Sequence, residues 1–385
     1  MQSASIKDPN RRDALKGIAL LGAAGLFPAM LPIRSARSAD LTAGFVYIGP
    51  RMDWGWNESH AAAAAALRGV PNVRVVEADY LPESTDYASG KETPETLAYT
   101  KAMEGLIADG AGLIISTSFD DDPFLLAMAA KYPNVVFRQA SQLANATYPR
   151  NVGSQNGLLN QGHYVNGVAA GLSTTTNMLG FVAGKPFGSV LLNVNSFLLG
   201  CRQANPHANV RVIFTGEWED EVHDAAAANA LVDAGCDVIT CHLDAPRVVI
   251  ETAEHRGIKT CGHAFDQAPL APKGYITGAE YRWTDLFETF VETLQKGGTL
   301  PNFVTGGYDK GFVASSPFGA GATPQAINAA TTAMQAMQNG DPLFVGPIMD
   351  NAGKTVIPAG TTYGPYAAEL QQTDYLIEGV VGSLT

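Results

Sequence analysis

The sequence predicts an α/β protein of two lobes, each a doubly wound parallel sheet with helices on both faces, joined by a three-segment hinge. Three observations lead there. Apolar strand-like runs alternate with helix-like runs along the chain. The order of these elements is repeated once. After Ile276 the pattern changes to amphipathic helices and short extended pieces, as expected of segments that cross back between two lobes.

In the first series, strands are expected over 41–48, 73–78, 113–116, 135–138 and 151–153. Helices are expected over 58–67, 94–108 and 123–131, the second with Pro94 in its first turn. The second series has strands over 179–182, 210–214, 238–240 and 258–261, with helices over 189–202, 221–234 and 247–255. Asp109-Gly110-Ala111-Gly112-Leu113-Ile114-Ile115 and Ala234-Gly235-Cys236-Asp237-Val238-Ile239-Thr240 carry the repeat, each placing Gly where a helix stops in a left-handed residue. Later come helices over 284–294 and 325–337 and a hairpin over 344–357 turning at Asn351-Ala352-Gly353. These readings divide the chain into an N-terminal lobe of residues 40–155 plus 284–305 and a C-terminal lobe of 156–283 plus 306–385. The hinge falls near 153–156, 282–284 and 306–308.

The chain has 385 residues, 46% hydrophobic and 16% charged, which is enough to bury two cores. A net charge of -12 repels phosphate backbones and argues against nucleic acid as a partner. Residues 1–39 read as an export signal. Arg11-Arg12-Asp13-Ala14-Leu15-Lys16 precedes an apolar run over 17–33, and small residues follow near Ser38. The arginine pair resembles a twin-arginine signal, so export to the periplasm by that route is expected. No Cys follows the run, so no lipid anchor is expected there. The four cysteines form no Cys-x-x-Cys pair.

In parallel sheets ligands bind beyond the carboxyl ends of the strands. Here those ends carry aromatic rings and single carboxylates: Asp53, Trp56 and Asn57 after the first strand, Ser118 and Phe119 after the third, and Trp218, Asp244, His263 and Asp266 in the second half. Rings with isolated carboxylates suit a planar ligand bearing N–H donors. Asp53 and Asp244 also stand where helix caps would be.

Taken in order along the chain, these segments resemble the basic-membrane-protein family of ABC-transporter substrate-binding proteins. Asp53-Trp54-Gly55-Trp56-Asn57 matches its Asp-x-[Gly/Ser]-[Trp/Phe]-Asn motif, and Thr117-Ser118-Phe119 its third strand end. Asn195-Ser196-Phe197-Leu198-Leu199-Gly200 matches its Asn-x-Phe-x-x-Gly helix. The segments 240–244, 262–267 and 311–319 follow in family order. The resemblance implies a type I periplasmic-binding-protein-like fold. It also implies a monomer that carries a purine nucleobase or nucleoside to a membrane permease without a cofactor. Trp56 would stack on the base, with Asp53 and Asn57 as polar anchors beside it. Asn195 and Asp266 would contact the ligand from the second lobe, and Phe119 and Trp218 would complete the walls. The family's Gly-x-Asp-x-Asp-Gln reads Gly262-His263-Ala264-Phe265-Asp266-Gln267 here. Ala264 therefore removes one acceptor, and His263 is expected to take over part of its role.

Two other classes have some support in the sequence. Cys241-His242 and Cys261-x-His263, with Asp244 and Asp266 nearby, offer zinc-ligand chemistry, but their spacing fits no established zinc motif. Buried thiols are the expected state. An exported nucleoside hydrolase is the enzymatic alternative, yet no nucleophile elbow, His-Glu-x-x-His or phosphate loop occurs, so no catalytic residue is assigned.

Overall fold

The computed structural model describes residues 40–81, 90–119 and 122–384. The expected export signal lies outside the described residues.

The first sheet has the strand order β2-β1-β3-β4-β5-β11, all parallel. Its strands are β1 (Leu41–Ile48), β2 (Val73–Leu81), β3 (Leu113–Phe119), β4 (Val136–Ala140), β5 (Val152–Gly157) and β11 (Phe303–Gly306). Along β1 the side chains alternate between two helix layers. Ala43, Phe45 and Tyr47 pack with α1 (Trp56–Leu67) and α8 (Thr284–Gln295). Val46 packs with α2 (Pro94–Ala108) and α3 (Pro123–Lys131) on the other face. Both α2 and α3 begin at capped residues followed by proline, Thr93-Pro94 and Asp122-Pro123.

The second sheet repeats the arrangement with β6 (Met178–Ala183), β7 (Asn209–Phe214), β8 (Val238–His242), β9 (Lys259–Ala264) and β10 (Tyr275–Tyr281). Its central order is β7-β6-β8-β9-β10. An antiparallel strand β12 (Val313–Ser315) closes one edge, and the strand Val380–Val381 lies parallel to β7 at the other. Helices α4 (Leu159–Gly171), α5 (Gly188–Ala204) and α9 (Pro324–Gln338) cover one face. Helices α6 (Glu221–Asp233) and α7 (Arg247–His255) cover the other.

The repeat seen in the sequence extends into the packing. Gly110 and Gly235 both have positive φ, 94° and 89°, at the ends of α2 and α6. In register with the strands that follow, Gly44 pairs with Ile114 and Gly180 with Ile239. A Cβ on Gly44 or on Gly180 would meet that isoleucine at 2.8 Å, and behind it Leu106 or Leu231. Each lobe thus lets a helix ride onto a glycine of its first strand.

The chain passes between the sheets three times: from β5 into α4, from β10 into α8, and from β11 towards β12. This is the expected two-lobed fold with a three-segment hinge. Several elements went unread in the sequence, among them α4, β10, β11, β12 and the strand Val380–Val381. The hairpin near Asn351 is present as Ile348–Met349 against Thr355–Ile357. All four cysteines are free and buried. Among the described residues no cluster of three or more His, Cys, Asp or Glu could hold a metal ion.

Candidate functional site

The carboxyl ends of the two sheets face each other across a cavity of about 450 Å³. A second hollow, about 360 Å³, sits beside Val136, Arg138 and Val152 near the amino ends of β4 and β5. The parallel-sheet rule places a ligand in the first.

Trp56 opens α1 and forms one wall of the cavity. Its Nε1 donates to Thr117 O at 2.9 Å, which fixes the indole plane against the end of β3. Its ring stands edge-on to Phe119 (6.3 Å between centroids) and Tyr281 (5.4 Å), with His60 behind it (4.6 Å). The opposite wall is Phe187 edge-on to Trp218 at 5.4 Å. These rings give flat apolar surfaces on both sides of the cavity, suited to an aromatic or otherwise planar ligand.

Two of the charged groups around the cavity, Lys185 and Asp122, are engaged by the protein itself. Lys185 Nζ lies 2.9 Å from Glu217 Oε2. Asp122 caps α3, accepting from the N–H groups of Phe124 and Leu125, and takes the Tyr99 hydroxyl at 2.6 Å. Ser118, beside it, belongs to the same network through Tyr99 and Ser116.

The floor is a chain of imidazoles. His163 Nε2 and His263 Nδ1 share a hydrogen bond of 2.9 Å, and the His263 and His242 rings lie 4.4 Å apart. Asn193 Nδ2 donates to His242 Nδ1 at 2.8 Å, which leaves the His242 proton on Nε2. Burial holds His242 down to about 3, and burial with the neighbouring rings holds His163 and His263 well below the usual histidine range. The floor is neutral at physiological pH.

Of the residues singled out in the sequence, Trp56, Ser118, Phe119, Trp218, Asp244 and His263 line this cavity. Asp53, Asn57, Asn195 and Asp266 stand behind its wall. The Asp53 carboxylate accepts the N–H groups of Gly55, Asn57 and Glu58 and the Asn57 amide, at 2.7–3.0 Å. Asn57 is spent on Ile48 O, Asp53 and Thr117 Oγ1. Asn195 clips the C-terminal segment, donating to Tyr375 O and accepting from Ile377 N. The Asp266 carboxylate accepts from Ala268 N at 2.9 Å, at the start of the short 3₁₀ turn Ala268–Leu270. In each case backbone N–H or C=O groups at a chain reversal take the polar side chain. Asp244 does not cap α7 through its side chain, since the N-cap of that helix is Pro246 and it has no side-chain cap. Its carbonyl instead accepts from Trp56 N at 3.1 Å.

The sequence reading missed Tyr281, Phe187, Asn193, His242 and Gln371 as lining residues. Phe187 and Asn193 follow the strand end at Gly184-Lys185-Pro186, so a wider reading of that end would have found them. Tyr281 ends the unread β10, and Gln371 arrives from the distant C-terminal segment.

Residues 41–316 match the family model described as ABC transporter substrate-binding protein, PnrA-like. The chain is 31% identical over 278 residues to a purine-binding protein of Brucella abortus, covering 72% of this chain and 75% of that one. It is 28% identical over 271 residues to a Haloferax volcanii protein named as an ABC-transporter glucose-binding protein, covering 70% and 65%. A solved solute-binding protein of an ABC transporter from Conexibacter woesei superimposes with a TM-score of 0.63 at 20% identity. It covers 78% of this chain and 97% of that one.

Proposed function

Because the chain belongs to the PnrA-like family of ABC-transporter substrate-binding proteins, we propose that its ligand is a neutral purine nucleobase or nucleoside, held in the cavity between the two sheets. A substrate-binding protein of this kind works outside the cytoplasmic membrane and hands a small molecule to the permease. The observation that carries the ligand assignment is the pair of aromatic walls, Trp56 with Phe119 and Tyr281 against Phe187 with Trp218, enclosing a space whose one lysine, Lys185, is already paired with Glu217. Flat rings stack on a base, and the one lining cation, Lys185, is already held by Glu217, which leaves no free cation for a phosphate. The neutral imidazoles and Asn193 supply both donors and acceptors for the polar edge of a base. The purine-binding relative supports the same reading.

Calorimetry with adenine, guanine, hypoxanthine, adenosine, inosine and glucose tests it, with the bound molecule recovered intact. A purine binding below about 100 μM, or roughly −5.5 kcal/mol, is the expected result. Binding of glucose alone sinks the purine reading, and release of free base from a nucleoside would make the protein a hydrolase. Export follows the same logic. Replacing Arg11 and Arg12 by Lys is expected to leave precursor in the cytoplasm if the twin-arginine route is used.

A further inference from the structure

The family match ends at residue 316, yet the chain beyond it is built into the second lobe and reaches the cavity. The strand Val380–Val381 extends the sheet beside β7, pairing Val380 with Val210. Leu370, Leu376, Ile377 and Val380 are buried. Asn195 holds the segment from both sides of its amide, and Gly188 lets it come close: a Cβ there would lie 2.6 Å from Gln371 O. So placed, Gln371 lines the cavity while only 7% exposed.

The orientation of the Gln371 amide follows from its neighbour. Asn156, near the end of β5, donates from Nδ2 to Gln142 O and to Gln371 Oε1, both at 3.3 Å. With Oε1 taken, the donor Nε2 is left. It has no protein acceptor among the described residues, and its residue lines the cavity. A nearly buried amide with one end anchored and a free donor is arranged to meet an acceptor on the ligand.

We propose that Gln371 is a specificity-determining residue, supplied by the C-terminal segment, whose Nε2 donates to a ring nitrogen or carbonyl oxygen of the bound base. This deepens the purine reading and rests on it. The segment thereby gives this chain a ligand contact from outside the part of the sequence that it shares with the family model.

The test titrates the full chain, Gln371→Ala and Gln371→Glu with the panel above, and checks by thermal melting without ligand that all three fold alike. Gln371→Ala is expected to weaken the best ligand roughly tenfold, and Gln371→Glu, which replaces the donor by an acceptor, at least as much. Asn195→Ala, which loosens the segment, should weaken binding in the parent but add little in the Gln371→Ala background. If the parent binds a purine and both Gln371 variants stay within about twofold of it, the segment has a structural role only and the inference is overturned. If the parent binds no purine, the ligand reading itself fails and this inference falls with it.

Discussion

Asp53 and Trp56 sit three residues apart and face different ways. The Asp53 carboxylate gathers four N–H groups at the start of α1, so Asp53→Ala leaves these buried donors unpaired. A loss of about 1–3 kcal/mol of stability is expected, read as a lower melting temperature. Trp56→Ala removes a wall of the cavity and should cost about 1–3 kcal/mol of binding, roughly ten- to a hundredfold. Asp266→Ala, by contrast, should leave affinity unchanged, because its carboxylate serves the turn at Ala268. Calorimetry separates the three, and a purine affinity that survives Trp56→Ala would remove the indole from the site. His60 makes a further point at this scale. It is sealed between Trp56 and Trp283, with Nδ1 at 2.9 Å from Trp56 O and Nε2 without a partner. Burial holds it down to about 4, against about 6.5 in an unfolded chain. A lowered folded value means that its contribution is whole above about pH 6.5 and is lost as pH falls towards 4. At pH 5 the loss is about 2 kcal/mol. His60→Phe is expected to narrow the difference in melting temperature between pH 7 and pH 5. An unchanged difference would show that His60 is not a source of the acid sensitivity.

Among the elements, α4 and α5 are in the closest contact. A Cβ on Gly167 would collide with Phe197 O, and one on Gly200 with Tyr164 O, so two helix backbones meet without side chains between them. Gly167→Ala is expected to cost at least the roughly 1–3 kcal/mol of an overpacked core. Gly105, exposed in the interior of α2 with nothing within 4 Å of its Cβ position, is the control. There Gly→Ala should stabilise by about 0.5–1 kcal/mol. Urea melts of the two variants should move in opposite directions, and a common direction would contradict the packing. The same helix explains where sequence reading stops. Strands such as β1 and β8 were legible because continuous apolar runs end at turn residues. Helix α4, from Leu159 to Gly171, is buried almost all round, and glycines and amides fill it where space or backbone demands. It therefore has no apolar stripe to find. The cavity shows a similar divide. Trp56, Phe119 and Trp218 were legible because rings at strand ends have few other uses. Asp53, Asn57, Asn195 and Asp266 looked alike in sequence, but backbone groups hidden from a sequence reading claim all four. Gln371 was out of reach because the contact depends on the path of the last forty residues or so.

At the scale of the molecule, the cavity is shut along one rim by bonds between the lobes. Trp56 N donates to Asp244 O, and Gln267 Nε2 donates to Trp54 O at 2.5 Å and to His263 O at 2.6 Å. Trp54 holds φ at 62°, a left-handed conformation that costs a bulky residue energy and persists only where the surroundings enforce it. A Cβ on Gly55 would collide with Asp244 O, so this rim can close only over a glycine. The rim is joined in this arrangement through Gln267, whose amide also holds the backbone of a floor histidine. A ligand that touches both walls favours closure by its differential affinity for the two states. Small-angle scattering should therefore show a smaller radius of gyration with a saturating purine than without. The emission of Trp54, Trp56 and Trp218 should shift in step. Bound at about a hundred times its Kd, the ligand should also add about 2.7 kcal/mol of stability. Gln267→Ala frees Trp54 O and should shift the ligand-free protein towards the open form, with weaker binding but the same compact shape at saturation. If saturating ligand leaves the scattering curve of the parent unchanged, the two lobes do not work as a clamp, and the bonds across the rim are static joints.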